Sequence, residues 1–338
     1  MRSWRHGLKL IIGLAIGIVF FYLAVRNVNI DQMLAALGQT RYGFVLLSAL
    51  LMFASHYLRA LRWGYFLAPV KRVPAASLFS ALMIGYAANT FVPAHLGEFL
   101  RAFVIGKKQD ISASAALASI VVERIVDVVS LIAVMALVIM VHPFPEWVEV
   151  SGAIMLGGAL LAIGVLIAAK RHEHRTVALM HALTRPLPER IGRRLEALSA
   201  NFLAGLLPLR SAGHYLAASV LSLAIWLGYA ATYYTCLEAF NLVSVHHLAW
   251  YVGLVVLVFT TISVVIPSTP GYVGTYHYLC QLSLVMFGVS ASEALSFAVI
   301  AHFVNVAPVA VAGLICANYE GVAIYRTASE VRRPEAAN

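Results

Sequence analysis

The amino-acid sequence predicts an all-α polytopic membrane protein with about six to eight transmembrane helices plus one or two re-entrant hairpins. Apolar residues make up 61% of the 338 residues and charged residues only 12%, against about 45–50% and about 25% in a soluble domain. Long apolar segments recur along the chain, and two of them are interrupted by proline and glycine. This composition excludes a soluble enzyme, a disordered chain and a secreted disulfide scaffold.

The apolar segments have the length that a bilayer requires, about 20 residues. They run roughly over 8–26, 42–62, 74–92, 112–141, 150–169, 212–240, 248–266, 275–288 and 293–318. The first follows three basic residues and lacks a small-residue cleavage site, so we interpret it as an uncleaved transmembrane helix. A shorter helix is predicted to begin near Asn29, a suitable N-cap with Gln32 three residues later.

The distribution of basic residues predicts the orientation, because lysine and arginine concentrate in cytoplasmic loops. They cluster at both termini and in the stretches 59–72, 101–108 and 170–210, and are absent from 142–149 and 241–247. Both termini are therefore predicted to be cytoplasmic, in a bacterial inner membrane. The stretch 74–108 then begins and ends inside, which predicts a re-entrant hairpin with Pro93 near its tip.

A second interrupted stretch resembles the first. Residues 91–97 and 265–271 both read apolar-apolar-Pro-x-x-x-Gly. If 248–288 is a hairpin that enters from the outside, the two stretches are inverted repeats, a plan that recurs in transporters. The alternative is that 248–266 and 275–288 both span, and the loop charges fit either arrangement. We favour the inverted pair. The predicted organisation is one transmembrane domain, 1–325, with repeat halves at about 42–169 and 212–318, and a cytoplasmic tail, 326–338.

The loop 170–210 is predicted to be a basic cytoplasmic linker rather than a domain. Its last part places apolar residues on one helical face, namely Ile191, Leu195, Leu198, Phe202 and Leu206, with Arg190, Arg193 and Arg194 off that face. Such an amphipathic helix suits the anionic inner leaflet. The alternative is an ordinary solvated loop helix.

Catalytic signatures are absent from the sequence, which contains no GxxxxGK[ST], HExxH or GxSxG pattern. We therefore expect no enzymatic activity, no cofactor, no metal site and no nucleic-acid partner. What remains is a small set of polar groups at membrane depth. Such groups are costly there and usually face a cavity or a partner.

The first set surrounds the first break and consists of Asn89, His95, Glu98 and Arg101. Glu98 and Arg101 are three residues apart, so on a helix they share a face and can pair. A broken hairpin also exposes backbone N–H groups that favour an anion, and Arg101 adds a fork suited to phosphate. The alternative is a structural ion pair that only orders the hairpin.

The second set is Glu123, Arg124 and Asp127 on the segment 112–141. Glu123 and Asp127 are four residues apart and face the same way. Two carboxylates on one buried face repel, so at least one needs a proton or a cationic partner. The set is equally consistent with proton coupling and with a static network in which Arg124 or Arg101 neutralises the carboxylates.

The third set follows the second break. Ser268, Thr269, Tyr276 and His277 offer hydrogen bonds to a lipid headgroup, and glycines allow close backbone approach. The predicted hairpin breaks are formed by Pro93, Gly97, Pro267, Pro270, Gly271 and Gly274.

Glu238, His302 and Asn305 are interpreted as links between helices. Arg59 and Arg62 are interpreted as orientation signals or contacts to lipid phosphates.

At these residues the chain resembles the lysylphosphatidylglycerol synthase transmembrane-domain family. The resemblance is carried by Asn89-x-x-x-Pro93-x-x-x-Gly97-Glu98-x-x-Arg101, by Glu123-Arg124-x-x-Asp127 and by Pro267-x-x-x-Gly271-x-x-Gly274. It covers about residues 8–320. It implies a lipid translocase or a membrane partner of a lipid-modifying enzyme. It does not imply lysyl transfer, which belongs to a separate soluble domain in the two-part relatives.

The leading functional hypothesis is a flippase for a phospholipid, glycolipid or polyprenyl-phosphate-linked lipid. The headgroup would lie in a polar cavity between the hairpins, with Arg101 on the phosphate. Glu98, Glu123 and Asp127 would tune or protonate that cavity. The alternatives are a scaffold for a glycosyltransferase or a hopanoid or glycolipid enzyme, an integral-membrane lipid enzyme that uses Glu98, His95 or His277 as acid or base, and a small-solute transporter.

Overall fold

The computed structural model describes the backbone of residues 2–91, 96–142, 144–205, 211–266, 269–322 and 324. Within these ranges the chain is helical and contains no β-strand, so the predicted all-α class is confirmed. The helices are α1 (Arg2–Val25), α2 (Ile30–Gly38), α3 (Tyr42–Leu67), α4 (Ala75–Phe91), α5 (Gly97–Gln109), α6 (Ala113–Ile139), α7 (Glu146–Arg171), α8 (Glu173–Thr184), α9 (Glu189–Gly205), α10 (Ala212–Ala239), α11 (Leu242–Val245), α12 (Val252–Val265), α13 (Thr275–Val285) and α14 (Ala291–Tyr319). A 3₁₀ turn, Pro270–Tyr272, lies between α12 and α13.

Helix starts follow local capping chemistry. The side chain of Asn29 accepts a hydrogen bond from the backbone N–H of Gln32, as predicted. Ser290 accepts from the backbone N–H of Glu293, whose carboxylate accepts in return from the Ser290 backbone. These reciprocal bonds satisfy donors that the first helical turn leaves without partners. They explain why α2 and α14 begin where they do.

Four helices in the described residues are long and apolar enough to cross a membrane: α3, α7, α10 and α14. The count rises to five if Leu14–Val25 and Ile30–Gly38, which are bent by 84° relative to each other, form one span. Helix α6 is as long, with 27 residues, but it carries Glu123, Arg124 and Asp127. Helices α4 and α12 are apolar but shorter. The polytopic character is confirmed, while the cytoplasmic placement of the termini stays a prediction.

Two parts of the chain have the same element order. Helices α3–α6 and helices α10 and α12–α14 each comprise a long helix, a short helix, a break, a second short helix and a long helix. The contacts between the two sets are also symmetric. The short helix α4 of the first set packs on the last helix of the second, α14, and the corresponding short helix α12 packs on the last helix of the first, α6. The two long first helices, α3 and α10, pack along each other. This correspondence is what an internal repeat produces. Opposite orientation of the halves in a membrane stays a prediction.

The first break joins two helices that fold back on each other. The backbone N–H of Gly97 donates to Asn89 Oδ1 at 2.7 Å, and at the far end of the pair Gln109 Nε2 donates to Ser77 Oγ at 3.4 Å. Helices α4 and α5 are therefore antiparallel. The predicted tip residues Pro93 and His95 lie outside the described residues.

The second break needs glycine for its backbone. Gly271 has φ = 70° and Gly274 has φ = 94°, values that residues with a Cβ adopt at a cost. Gly274 also meets the backbone of Gly17 on α1 so closely that a Cβ there would overlap the Gly17 carbonyl oxygen. The turn at 270–272 contacts α4, so the two breaks lie next to each other. Pro267 and Ser268 lie outside the described residues.

The linker forms two helices, α8 and α9, that pack against each other, and α9 also packs on α6. Leu203 is buried with Ala118 of α6, whereas Ile191, Leu195 and Leu198 are exposed. The predicted amphipathic helix is observed as Glu189–Gly205, and Leu206 of its predicted apolar face lies outside the described residues. One part of its apolar face packs on α6, and the other part is exposed.

Substitution of Gly97 by alanine is expected to destabilise the protein by about 1–3 kcal/mol, because the added Cβ overlaps the Gly85 carbonyl oxygen and the Asn89 side chain. Gly157 on α7 has no atom within 4 Å of such a Cβ, so Gly157→Ala serves as the matched control and is expected to be neutral or stabilising by up to ~1 kcal/mol. Thermal unfolding in detergent measures both. Equal unfolding midpoints would contradict the close contact between α4 and α5.

Candidate functional site

A cluster of buried ions joins α3, α5 and α6. The carboxylate of Glu123 has no solvent exposure, and it accepts from Arg59 Nε at 2.8 Å and from Arg101 Nη2 at 2.6 Å. Asp127 accepts from Arg62 Nη2 at 2.5 Å and also from Arg59. Buried charges persist only when they are paired and hydrogen-bonded. This cluster therefore fixes three helices relative to one another.

The predicted pair of Glu98 with Arg101 is wrong. Arg101 points toward α3 and α6, where it pairs with Glu123 and stacks on the Trp63 ring at 3.6 Å from its centroid. Glu98 instead pairs with Arg124 at 3.4 Å. The fully buried Glu123 offers Arg101 a tighter partner than a neighbour on its own helix. Arg101 is 2% exposed, so it is not placed to hold a headgroup phosphate.

Arg59 and Arg62 are also placed differently from the prediction. They are 5% and 0% exposed and belong to the ion cluster, so neither contacts lipid phosphates. The sequence did carry a signal for this. Two carboxylates on one buried helix face require cations, and Arg59 and Arg62 share a face of another apolar helix three residues apart.

The ion cluster has more positive than negative groups. With Glu98 and Arg124 included, four arginines face three carboxylates, an excess of one positive charge. The Nε groups of Arg62, Arg101 and Arg124 have no hydrogen-bond partner among the described residues. Arg124 keeps 40% of its side-chain exposure. Arg124 is therefore the most accessible of these four arginines, and it is paired with Glu98 at 3.4 Å and with Asp127 at 3.6 Å.

Next to Arg124 lies a cavity of about 280 Å³ between the two halves. In the part of the chain that the structure describes, all eight helices of the two halves contribute to its lining. The lining residues are Met52, His56, Tyr86, Asn89, Thr90, Glu98, Arg124, Tyr229, Tyr233, Leu257, Thr260, Thr261, Val264, Tyr272, Tyr276, His302, Asn305, Val306 and Val309. The cavity lies beside both breaks, because Asn89, Glu98 and Tyr272 flank them.

The wall contributed by the second half is polar and carries no Lys, Arg, Asp or Glu among its described lining residues. The hydroxyls of Tyr233 and Tyr276 lie 3.1 Å apart, and Asn305 Nδ2 donates to Tyr276 at 3.3 Å. His302 Nε2 lies 2.7 Å from the Gly271 carbonyl oxygen. His302 and Asn305 were interpreted from sequence as helix links, and they also line the cavity. This wall offers hydrogen bonds from uncharged groups.

The predicted site residues divide into four groups. Asn89, Glu98, Arg124 and Tyr276 line the cavity, while Arg101, Glu123 and Asp127 form the ion cluster behind it. Thr269 hydrogen-bonds the Val273 carbonyl, and His277 is buried with its ring 4.7 Å from His302, so neither of these two lines the cavity. His95 and Ser268 lie outside the described residues.

Sequence reasoning missed most of the tyrosines and threonines of the cavity, among them Tyr86, Tyr229, Tyr233, Thr260 and Thr261. Their types are unremarkable in apolar helices, since a threonine can satisfy its hydroxyl within its own helix. Thr260 and Thr261 do so through the Val256 and Leu257 carbonyls. Only packing of the two halves reveals that these side chains converge.

The fold and site define a multi-pass helical membrane protein with a cavity between its two halves that is lined by polar and apolar side chains. The chain belongs to the family described as "Lysylphosphatidylglycerol synthase TM region", which matches residues 10–313. No curated protein and no solved structure matches it. The predicted family is thereby confirmed.

Substitution of Glu123 by glutamine is expected to destabilise the folded protein by about 3–5 kcal/mol, because it leaves Arg59 and Arg101 buried without their shared carboxylate. The matched control is Glu238→Gln. Glu238 pairs with the half-exposed Arg41 at 3.5 Å, and such pairs contribute about 0–1 kcal/mol. Thermal unfolding in detergent compares the two variants. An unchanged midpoint for Glu123→Gln would show that the cluster does not hold the fold.

Proposed function

We propose that this protein is a lipid translocase of the bacterial inner membrane, and that it moves a lipid without altering it chemically. The observation that carries the proposal is the cavity between the two halves beside the two breaks, whose lining combines ionic, hydroxyl and amide groups with apolar side chains. A headgroup in this cavity would exchange water for fixed polar groups, while the acyl chains remain in the bilayer. Membership of the family supports a membrane role with lipids.

The residues that we propose as headgroup ligands differ from the ion cluster behind them. Arg124 and Glu98 pair weakly, at 3.4 Å, and keep 40% and 26% of their side-chain exposure. A headgroup can therefore compete for each of them. Arg101, Glu123 and Asp127 act as positioning residues, because their ion pairs hold α3, α5 and α6 around the cavity.

Breaks in α4–α5 and α12–α13 provide the means of alternating access that this function needs. In transporters with repeated halves, discontinuous helices meet at the substrate site, and rocking of one repeat against the other exposes it to each side in turn. The contact between the 270–272 turn and α4 is where such a movement would alter the cavity.

The proposal predicts that purified protein in liposomes speeds the exchange of fluorescent lipids between leaflets. Glu98→Gln and Arg124→Gln are expected to reduce that rate by about tenfold, since each loses a hydrogen bond with a charged group. The control is Arg41→Gln, which removes an arginine that lies away from the cavity and contacts Glu238.

All variants require a check of folding by thermal unfolding in detergent. Wild-type rates in folded Glu98→Gln and Arg124→Gln would show that the cavity is not the transport route. No movement of any lipid by the folded wild-type protein would contradict the translocase and favour the scaffold for a lipid-modifying enzyme.

A further inference from the structure

We infer that the cavity selects a headgroup composed of one phosphodiester and one uncharged polyhydroxyl ring, such as a sugar or a cyclitol. The inference rests on the proposed function and names the substrate class of the same site. Three features carry it: an accessible arginine at one wall, hydroxyl groups and tyrosine rings at the other, and a small volume.

The charged wall suits one negative charge. Among the described residues of the ion cluster, four arginines and three carboxylates leave an excess of one, and the two cluster members that line the cavity are Arg124 and Glu98. Arg124 pairs with Glu98 at 3.4 Å and with Asp127 at 3.6 Å, distances longer than those of a direct hydrogen bond. A phosphodiester carries one negative charge and accepts hydrogen bonds from a guanidinium fork. Such a ligand would therefore compete with these long ion pairs for the accessible part of the Arg124 guanidinium.

The wall from the second half includes hydroxyl groups that can only accept from a ligand. Thr260 and Thr261 each donate their hydroxyl hydrogen to a carbonyl of their own helix. Their remaining lone pairs can only accept. The matching ligand groups are donors, and either hydroxyl or ammonium groups could supply them. The charges of Arg124 and Glu98, which both line the cavity, do not distinguish hydroxyl from ammonium. The aromatic side chains of the same wall favour hydroxyl groups, because they match hydroxyls carried on a ring.

Aromatic side chains complete this wall. Among its described residues four are tyrosines, namely Tyr229, Tyr233, Tyr272 and Tyr276, and each combines an apolar ring face with a hydroxyl. A sugar or cyclitol ring presents C–H groups on its faces and hydroxyls at its edge, so it matches such a surface. The volume of about 280 Å³ is near the lower limit of ligand pockets, about 300–1,000 Å³. One ring fits this space better than an oligosaccharide.

The test compares four lipids whose headgroups differ in their charge and in whether they carry a polyhydroxyl ring. Phosphatidylinositol carries both a phosphodiester and a polyhydroxyl ring. Phosphatidylglycerol has the charge without the ring, monogalactosyl diacylglycerol has the ring without the charge, and lysyl-phosphatidylglycerol adds a cation. Binding to the full-length protein is measured by native mass spectrometry in detergent, and transfer between leaflets is measured in liposomes. We expect phosphatidylinositol to exceed each of the others in both measurements.

Two substitutions test separately the contributions of the two walls of the cavity to lipid binding. Arg124→Gln should lower binding of phosphatidylinositol about tenfold and leave monogalactosyl diacylglycerol unchanged, since only the former uses the charge. Thr261→Val keeps the side-chain shape and should lower binding of both ring lipids about threefold. The controls are Arg41→Gln and Thr235→Val. Thr235 makes the same hydrogen bond within its helix, to Ala231, but does not line the cavity.

The outcomes distinguish this inference from the proposed function. Selective binding of phosphatidylinositol without transfer would contradict the translocase and retain the headgroup assignment. Transfer of all four lipids at similar rates, or a preference for lysyl-phosphatidylglycerol, would retain the translocase and overturn the headgroup assignment. Absence of selective binding in folded protein would overturn the assignment whatever the transfer rates.

Discussion

The architecture depends on the pairing of Glu123 with Arg59 and Arg101. A carboxylate without solvent exposure is tolerated only because two guanidinium groups bind it directly, and removal of one member would leave the others as uncompensated buried charges. The three residues belong to α6, α3 and α5. Their bonds therefore fix the first break relative to two long helices. They also determine which arginine remains accessible, because Arg101 is buried against Glu123, whereas Arg124 keeps 40% of its side-chain exposure beside Glu98.

The two halves share their helix order but differ in chemistry. The offset that aligns Phe91 with Val265 also aligns Arg59 with Tyr233, Glu98 with Tyr272 and Arg101 with Thr275. These three charged groups of the first half thus correspond to uncharged polar groups of the second, whereas Glu123, Arg124 and Asp127 correspond to Phe297, Ala298 and Ala301. Because the halves pack face to face along α3 and α10, this difference produces a cavity with an ionic wall and a hydroxyl-bearing wall.

Much of the fold could be predicted from the sequence, because apolar runs and breakers act locally. The segment predicted at 293–318 is observed as Ala291–Tyr319, and that at 212–240 as Ala212–Ala239. Pairing partners could not be predicted in the same way. Spacing brings Glu98 and Arg101 to one face, but the choice between partners depends on which groups other helices present. Likewise, the convergence of tyrosines and threonines on the cavity is a property of packing between halves that are distant in sequence.

The difference between the walls also determines where the structure can change at low cost. Separating the buried ions of the first half would cost about 3–5 kcal/mol for each broken pair. The contacts of the second break are hydrogen bonds between uncharged groups, such as Tyr233 with Tyr276, and each contributes about 0.5–1.5 kcal/mol. The glycines at 271 and 274 hold positive φ values, and Gly274 packs closely on the backbone of Gly17. For the proposed translocase, a movement that breaks the hydrogen bonds of the second break would therefore cost less than one that separates the ions of the first half, which position Arg124.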